Sequence, residues 1–447
     1  MSSYVVKRKS AIINEGRGYN FMLIGIDASR ANRKHRNGAE WYSYHLIRSL
    51  AKLDAKNQYL LYSDQPLGKG LADLGAEGAL FSEENFFPEI DKYGFQSVKS
   101  PHNNFRAKIL KWPYKNFWTL GRLSLECLFN CPDVLFIPTH VLPIIHPRRS
   151  VVTIHDVGFM KNKSLYRREP IGPESGKKKF FINLCARIFT FGKFGAEARD
   201  YLEWSTGYAL RKAKKAITVS RCSQSDILEN FRVKEGKLSV IYNGFNNGLF
   251  KKISDTKSIA AVLNKYGISR PYLFYVGKIE KKKNIPALIE AFAIMRDRNR
   301  EIRHKLVLVG DAFYGYDEVH YLIREYNLDD EVLMPGWIDE KDMPYVYSGA
   351  DAFVFPSHYE AFGISLLEAM ACGLPIAASD AASIPEVTGD AGLLFDPCDI
   401  YAMAEAMKKI ICEDSLRVRL ASAGEKRSAS FSWEKCASET LDVINSL

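Results

Sequence analysis

The sequence of 447 residues lacks the features that would place it in several classes of protein. No stretch approaches the roughly 18 uninterrupted apolar residues of a membrane-spanning helix, and the first residues contain no apolar segment of signal-peptide length. The eight cysteines are scattered, without a CxxC pair or a Cys/His spacing typical of zinc. We therefore expect a cytoplasmic protein with reduced thiols, soluble or attached to one face of a membrane.

A GxGxxG fingerprint after an early strand is also missing, which disfavours an NAD-dependent enzyme. What is present is an ordinary globular composition, 47% hydrophobic and 26% charged, with a length typical of two or three domains. The formal net charge of +10 is unevenly distributed, because residues 328–447 hold 8 basic and 21 acidic side chains. The basic surplus of the remaining chain indicates phosphorylated substrates, nucleic acid or an anionic membrane surface as partners.

Short apolar runs alternate with longer amphipathic segments along the chain. Several of these runs are apolar throughout, as in the central strands of a parallel sheet that is covered on both faces. The strand–helix units are numerous enough for two doubly wound α/β sheets. Turn-forming residues at 243–252 indicate a domain boundary there. The predicted strands lie at 22–28, 59–62, 134–138, 151–155, 216–220, 238–242, 272–276, 305–309, 332–334, 352–355 and 375–379.

Two basic segments do not fit this alternation. Residues 97–122 contain six basic and no acidic side chains, together with five large aromatic residues. Residues 161–194 contain nine basic and two acidic side chains, and could form a basic helix with one apolar face. This combination is typical of helices that lie in a membrane interface, although a helix packed on its own domain is the alternative. We predict peripheral contact with an anionic membrane through both segments.

The strongest chemical signal lies around Glu360 and Glu368. A predicted strand ends at Phe355, a loop carries Glu360, and a helix follows. The backbone N–H groups at the start of this helix have no intrahelical partner, so they are predicted to bind a diphosphate. They belong to Phe362, Gly363, Ile364 and Ser365. A lone glutamate is usually solvated, but this helix is largely apolar, so Glu368 needs a partner such as a ribose diol.

A run of lysines follows the predicted strand that ends before Gly277. Lys278 stands at the carboxyl end of that strand, where α/β sheets bind ligands, and Lys283 can reach the same point. Their charges would stabilise a diphosphate as a leaving group forms. Lysine runs are usually solvated loops, which is the simpler interpretation of Lys281 and Lys282.

Other strand ends supply weaker candidates. Gly310 can line the base or diphosphate pocket, and Trp337 could flank a nucleotide base. Gly38, after the first strand, is a possible anion site. His155 and Asp156 stand at the carboxyl end of another strand, where a ligand-facing histidine is plausible and a histidine bonded within the core is the alternative.

Five segments in this order resemble those of the retaining GT-B glycosyltransferases of family GT4, the group 1 type, and particularly bacterial mannosyltransferase-like members. The glutamates at 360 and 368 look like the E-x7-E motif of the family. Residues 276–286 are similar to its VG(R/T)xExxKN segment, and residues 384–396 to its PEV…GDA stretch. Residues 240–244 and 154–156 match two further segments.

The resemblance implies two Rossmann-like domains that face each other across a cleft. Residues 1–247 would bind the acceptor and residues 248–432 the nucleotide sugar, with a final helix at 433–447 packing back on the first domain. Lys278 and Lys283 would hold the diphosphate, and Glu368 the ribose.

The remaining implied roles concern the sugar and the acceptor. Glu360 would bind the donor sugar, Gly38 would lie near the distal phosphate, and His155 near the O6 atom of the sugar. Asp156 and Asn243 would contact the sugar or the acceptor. Many relatives have Arg where this chain has Lys278, which keeps the charge but loses a bidentate fork, so Lys282 is expected to share its duty.

The resemblance, together with these site residues, implies that the chain is a retaining glycosyltransferase. It would move a hexose, with GDP-mannose as the first candidate donor, to a hydroxyl of a glycan or of a lipid-linked acceptor at the inner face of the cell membrane. No metal or other cofactor is expected, because lysines supply the positive charge and no DxD pair stands beside them. The alternatives are an epimerase or hydrolase of nucleotide sugars with the same fold, and a non-catalytic nucleic-acid-binding protein, which the intact pairs of glutamates and lysines disfavour.

Overall fold

The structure of the chain is a computed structural model. It describes residues 21–34, 36–76, 89–113, 117–161, 197–312 and 315–447, and single residues at 165, 184, 187 and 192. Nearly all of the basic segment 161–194 therefore lies outside the described residues, and so does its predicted membrane helix.

Among the described residues of the N-terminal half, eight strands form one sheet. They are β1 (Leu23–Asp27), β2 (Gln58–Ser63), β3 (Phe95–Ser97), β4 (Phe105–Ile109), β5 (Val134–Ile137), β6 (Ser150–Thr153), β7 (Lys215–Thr218) and β8 (Leu238–Val240). Their order is β3-β4-β2-β1-β5-β6-β7-β8, and every pair is parallel except β3 with β4. The order in which the strands are added to the sheet reverses between β1 and β5, and this switch point leaves a crevice at their carboxyl ends.

Helices cover this sheet, as its continuously buried strands require. They are α1 (Gly38–Leu53), α2 (Lys69–Ala72), α3 (Ser124–Phe129), α4 (Gly158–Lys161), α5 (Ala198–Lys212) and α6 (Arg221–Asn230). Helix α1 begins at Gly38, because the Glu40 carboxylate accepts a hydrogen bond from the Asn37 N–H at 3.0 Å and so closes the first turn.

Part of the segment 97–122 is a strand of the sheet, which the sequence interpretation missed. Within it, Phe105 stacks on Tyr59 with ring centroids 4.3 Å apart, and the Trp118 indole donates to the Leu110 carbonyl at 2.8 Å. Both Phe105 and Trp118 are buried. These two aromatic rings therefore stabilise the N-terminal domain and do not face a membrane.

Six parallel strands form the second sheet. They are β9 (Tyr272–Val276), β10 (Lys305–Val309), β11 (Val332–Gly336), β12 (Ala352–Phe355), β13 (Ile376–Ser379) and β14 (Gly392–Phe395). Their order is β11-β10-β9-β12-β13-β14, a doubly wound order in which the direction of strand addition reverses between β9 and β12. The interior is apolar, and Tyr272, Phe274 and Phe353 are fully buried in it.

The helices of this half lie on both faces of its sheet. They are α7 (Thr256–Lys265), α8 (Ile285–Arg298), α9 (Tyr316–Glu325), α10 (Met343–Gly349), α11 (Ile364–Ala371), α12 (Ile384–Thr388), α13 (Ile400–Cys412) and α14 (Asp414–Ser428). A last helix, α15 (Trp433–Asn445), packs against α1 of the first half. The chain thus begins and ends its described course in the same domain.

Direct hydrogen bonds also join the two halves. The Glu386 carboxylate in α12 accepts the backbone N–H groups of Arg221 and Cys222 at 2.8 and 3.1 Å, at the start of α6. The Tyr242 hydroxyl donates to the same carboxylate at 2.7 Å. A carboxylate is well placed there, because the N–H groups at the start of a helix lack intrahelical partners and carry partial positive charge.

Candidate functional site

A cleft of about 530 Å³ lies where the carboxyl ends of the two sheets face each other. All of the residues that the sequence singled out as site candidates line it. They are Gly38, His155, Asp156, Asn243, Gly277, Lys278, Lys283, Gly310, Glu360, Phe362, Gly363, Ile364, Ser365 and Glu368. Their individual roles remain predictions, but the fold brings them to one place.

Backbone packing at the ends of β9 and β10 shapes one wall of the cleft. Gly310 has a φ of +142°, and a Cβ atom there would lie 2.0 Å from the carbonyl oxygen of Gly277. Only glycine permits this approach. The two strand ends therefore present backbone, and not side chains, beside Lys278.

Lys283 and Glu360 form an ion pair inside the cleft. Lys283 lies in a 3₁₀ turn after β9, and its Nζ is 2.5 Å from Glu360 Oε1. The Ser357 hydroxyl donates to the same oxygen at 2.7 Å. Both charged side chains are largely buried, so they hold each other in place. An incoming diphosphate would compete with Glu360 for the lysine.

Lys282 lines the cleft together with Lys278, so of its two interpretations a solvated loop residue is wrong, while a shared role with Lys278 stays a prediction. Burial disfavours its charge, but the fields of Asp156, Glu360 and Glu280 outweigh burial and raise the pKa of Lys282. The side chain is therefore a cation at neutral pH. The sequence could not show this effect on the pKa of Lys282, because Asp156 belongs to the other half of the molecule.

The helix start after Glu360 has the geometry of an anion site. Gly363 adopts the left-handed conformation with φ +93°, and α11 begins at Ile364. Residues with side chains rarely adopt this φ, so the turn favours glycine. The N–H groups of Gly363, Ile364 and Ser365 consequently point from the helix end, on a wall of the cleft.

Two carboxyl groups lie further along this wall. Glu368 accepts a hydrogen bond from the Tyr347 hydroxyl at 2.9 Å, and burial raises the pKa of Glu368 to about 7. Glu340, which the sequence interpretation missed, has a buried Oε2 without a hydrogen-bond partner among the described residues. Burial raises the pKa of Glu340 to about 7 as well, against the opposing effects of Arg36 and Asn246. Glu340 Oε2 therefore has room for a hydrogen-bond donor from a ligand.

Histidines form the opposite wall. The carbonyl of Pro138 lies 3.0 Å from His155 Nε2, so this nitrogen carries the proton and Nδ1 is left as an acceptor. His140, also missed from the sequence, has its ring centroid 5.8 Å from that of His155. Burial lowers the pKa of His155, and it lowers the pKa of His140 to about 4. Both rings are therefore neutral at pH 7 and suited to binding hydroxyl groups.

An aromatic stack closes the cleft beside the interdomain connection. The His45 ring lies between Trp41 and Trp433, 5.3 Å from each ring centroid. Because Trp433 begins α15, this stack joins the last helix to α1. Asn243 lies close by on the same cleft, and its Oδ1 is buried with no partner among the described residues.

Within the described parts of the chain, no three His, Cys, Asp or Glu side chains are grouped to hold a metal ion. Among the helices formed by those same residues, none combines the length and the apolar character needed to cross a membrane.

Comparison with known proteins shows related sequences. Residues 239–427 match the family described as Glycosyl transferases group 1. An O-antigen chain mannosyltransferase B of Escherichia coli is 32% identical over 262 residues, which are 58% of this chain and 68% of that protein. A serotype-specific mannosyltransferase WbdA of Escherichia coli is 23% identical over 303 residues, and these span 67% of this chain but only 34% of that protein.

Solved structures share the fold. A sucrose-phosphate synthase from Thermosynechococcus elongatus superposes with a TM-score of 0.66 at 22% identity, covering 95% of this chain and 98% of that one. WaaG, a glycosyltransferase involved in lipopolysaccharide biosynthesis, gives a TM-score of 0.64 at 15% identity, covering 95% and 99%. The predicted architecture of two Rossmann-like sheets facing a cleft is confirmed.

Proposed function

Since the chain belongs to the group 1 glycosyl transferases of GT-B fold, we propose that it moves a hexose, with retention, from a nucleotide sugar to a hydroxyl of a glycan or lipid-linked acceptor. Mannose is the first candidate, because two relatives are named as mannosyltransferases. The names of these relatives also support a place in the assembly of a cell-surface polysaccharide.

One observation carries the proposal: the Lys283–Glu360 ion pair shares one cleft with a helix N-terminus and with the neutral His140 and His155. The N–H groups at Gly363–Ser365, with Lys278, Lys282 and Lys283, are suited to a diphosphate. Taking Lys283 away from Glu360 would leave that carboxylate able to accept hydroxyl groups of the donor sugar. Glu368 would accept the ribose diol.

The proposed reaction needs no covalent intermediate. The bond between C1 of the sugar and the phosphate oxygen breaks, and the acceptor oxygen bonds to C1 on the same face. The proton of the acceptor hydroxyl passes to the departing phosphate. Lysine charges and helix N–H groups stabilise the leaving diphosphate, which is the largest demand of this step. The proposal therefore assigns no catalytic task to a metal ion or other cofactor.

Glu340 supports guanine as the base of the donor. Guanine carries two adjacent N–H donors, at N1 and N2, that match the two oxygens of a carboxylate. Uracil presents a single N–H flanked by carbonyl oxygens, which a carboxylate would repel. Glu340 has one unpartnered buried oxygen and follows Trp337 and Ile338, which also line the cleft.

The test is a panel of GDP-, UDP- and ADP-sugars assayed by thermal shift and by transfer to a mannose-terminated acceptor. We expect stabilisation and transfer with GDP-mannose. In the Glu340→Gln variant, the amide offers one acceptor and one donor, so the preference for GDP over UDP should fall about tenfold or more. Stabilisation by none of the nucleotide sugars would overturn the function, and an unchanged preference would overturn the role of Glu340.

The same proposal places the acceptor at an anionic membrane face. In the segment 97–122, Lys99, Arg106 and Lys111 are exposed, whereas Phe105 and Trp118 are buried. Large exposed apolar side chains lie instead on α3, where Leu128 and Phe129 are 55% and 70% exposed. A Lys108–Glu126 ion pair joins α3 to β4, so this apolar surface adjoins the basic strand.

A further inference from the structure

We propose that Asp226 is a positioning residue for Glu360, through which the N-terminal domain sets the loop that binds the donor sugar. The inference rests on the proposed function, because it assigns a partner to the loop of Glu360. It concerns a buried contact between the two halves of the molecule that lies beside the reacting groups.

Glu360 stands between two residues that α6 holds. On one side, the Tyr359 hydroxyl donates to Asp226 Oδ2 at 2.8 Å. On the other side, the carbonyl oxygen of Ala361 accepts the Ser220 hydroxyl at 2.8 Å and the Ser223 hydroxyl at 3.4 Å. Both neighbours of Glu360 in the chain are therefore fixed from the opposite domain.

Asp226, which holds Tyr359, is itself held in place. The Asp226 side chain is only 1% exposed, and its second oxygen forms an ion pair with Lys161 at the end of α4. A buried carboxylate with two partners has little freedom to move. The start of α6 is in turn held by the carboxylate of Glu386. The contact thus exists only while the two halves keep this arrangement.

Loss of the contact between Tyr359 and Asp226 should change the position of Glu360 and should not change nucleotide binding. Glu360 Oε1 lies between Lys283 and Ser357, so a small shift of its loop changes that geometry. Glu368 lies in α11, beyond the anchored loop, and keeps its own bond to Tyr347. The Ser220 and Ser223 hydroxyls still hold the Ala361 carbonyl, and so the helix start that follows it, when the Tyr359–Asp226 bond is lost. Loss of that bond should therefore reduce the rate of transfer while leaving the affinity for the nucleotide unchanged.

The test compares Tyr359→Phe with a matched control, Tyr59→Phe. Tyr59 is a buried tyrosine of the N-terminal sheet whose hydroxyl donates to Asp54 at 2.5 Å, and it does not line the cleft. Each variant removes one buried Tyr–Asp hydrogen bond. We expect Tyr359→Phe to lower kcat about tenfold or more with an unchanged Kd for GDP, and Tyr59→Phe to leave kcat unchanged at a similar loss of stability.

A second pair of variants guards against misfolding. Asp226→Asn keeps an oxygen that accepts from the Tyr359 hydroxyl, so its kcat should stay close to that of the unmodified protein. Asp226→Ala removes this acceptor, so its kcat should fall. Equal kcat values for Tyr359→Phe and Tyr59→Phe, or for Asp226→Asn and Asp226→Ala, would overturn the positioning role. Absence of transfer by the unmodified protein would instead overturn the proposed function.

Discussion

The two carboxyl groups of the cleft predict that donor binding strengthens as pH rises. Burial raises the pKa of both Glu340 and Glu368 to about 7. Each must be ionised to accept hydrogen bonds through both oxygens from guanine or ribose. Such a group is roughly one-tenth ionised at pH 6 and nine-tenths ionised at pH 8. We therefore expect the affinity for GDP-mannose to rise about tenfold per group over this range, with release of protons near pH 7.

Stability without a ligand should change in the opposite direction. A carboxyl whose pKa is higher in the folded than in the unfolded state contributes stability that is fully present below its unfolded pKa. That contribution is lost as pH rises from the model-compound value of 4.5 through about 7. The unliganded Tm should therefore fall from pH 5 to pH 8, while the increase in Tm caused by GDP-mannose should grow.

Isothermal titration calorimetry in two buffers of different ionisation enthalpy measures both the affinity and the proton release. GDP-mannose is the suitable ligand, because its diphosphate is esterified at both ends and does not titrate near pH 7. Glu340→Gln and Glu368→Gln each remove one titrating group, so each variant should lose its share of the pH dependence. An affinity that stays constant or falls between pH 6 and pH 8, or proton uptake on binding, would refute this reasoning.

Three further outcomes follow from the geometry. Lys283→Met should lower kcat about a hundredfold or more, since a charge beside the leaving diphosphate is lost; steady-state kinetics check this, and a loss below threefold would contradict it. Asn284 has a φ of +59°, and its side chain donates to the Pro397 carbonyl at 2.8 Å. Asn284→Ala should therefore lower the free energy of unfolding in urea by about 1–3 kcal/mol, and Asn284→Gly should lower it less. Equal losses in the two variants would argue against backbone strain. Phe129→Ser should weaken flotation with anionic liposomes. Val418→Ser, at an equally exposed site of the C-terminal domain, should not weaken it. Equal flotation of the two variants would show that α3 does not contact the membrane.

The donor wall of the cleft was accessible to sequence reasoning because its parts are local. Glu360, the helix start and Glu368 follow one strand within a few residues, and Lys278 and Lys283 follow another. Strands of a doubly wound sheet end at the same edge, so the pattern alone brings these groups together. The alternation of strands and helices likewise sufficed to predict the fold class.

Glu340 and His140 were not predicted as site residues, because no local sequence pattern marks them. Each lies in a loop without a recognisable spacing, and each acquires its role from groups of another strand or of the other domain. Strand β4 was missed for a different reason: its exposed Arg106 and half-buried Lys108 alternate with buried residues. The basic composition concealed a regular period of two.

Helix α15 makes the order of synthesis matter for this protein. In space the helix packs on the first domain, but a ribosome makes it only after the whole second domain has been translated. Until then the surface of α1 around Tyr42 and His45 has no Trp433 to cover it. A nascent chain can fold each sheet in turn, yet it cannot complete its cleft. Catalytic competence should therefore appear late and all at once, after α15 has been translated.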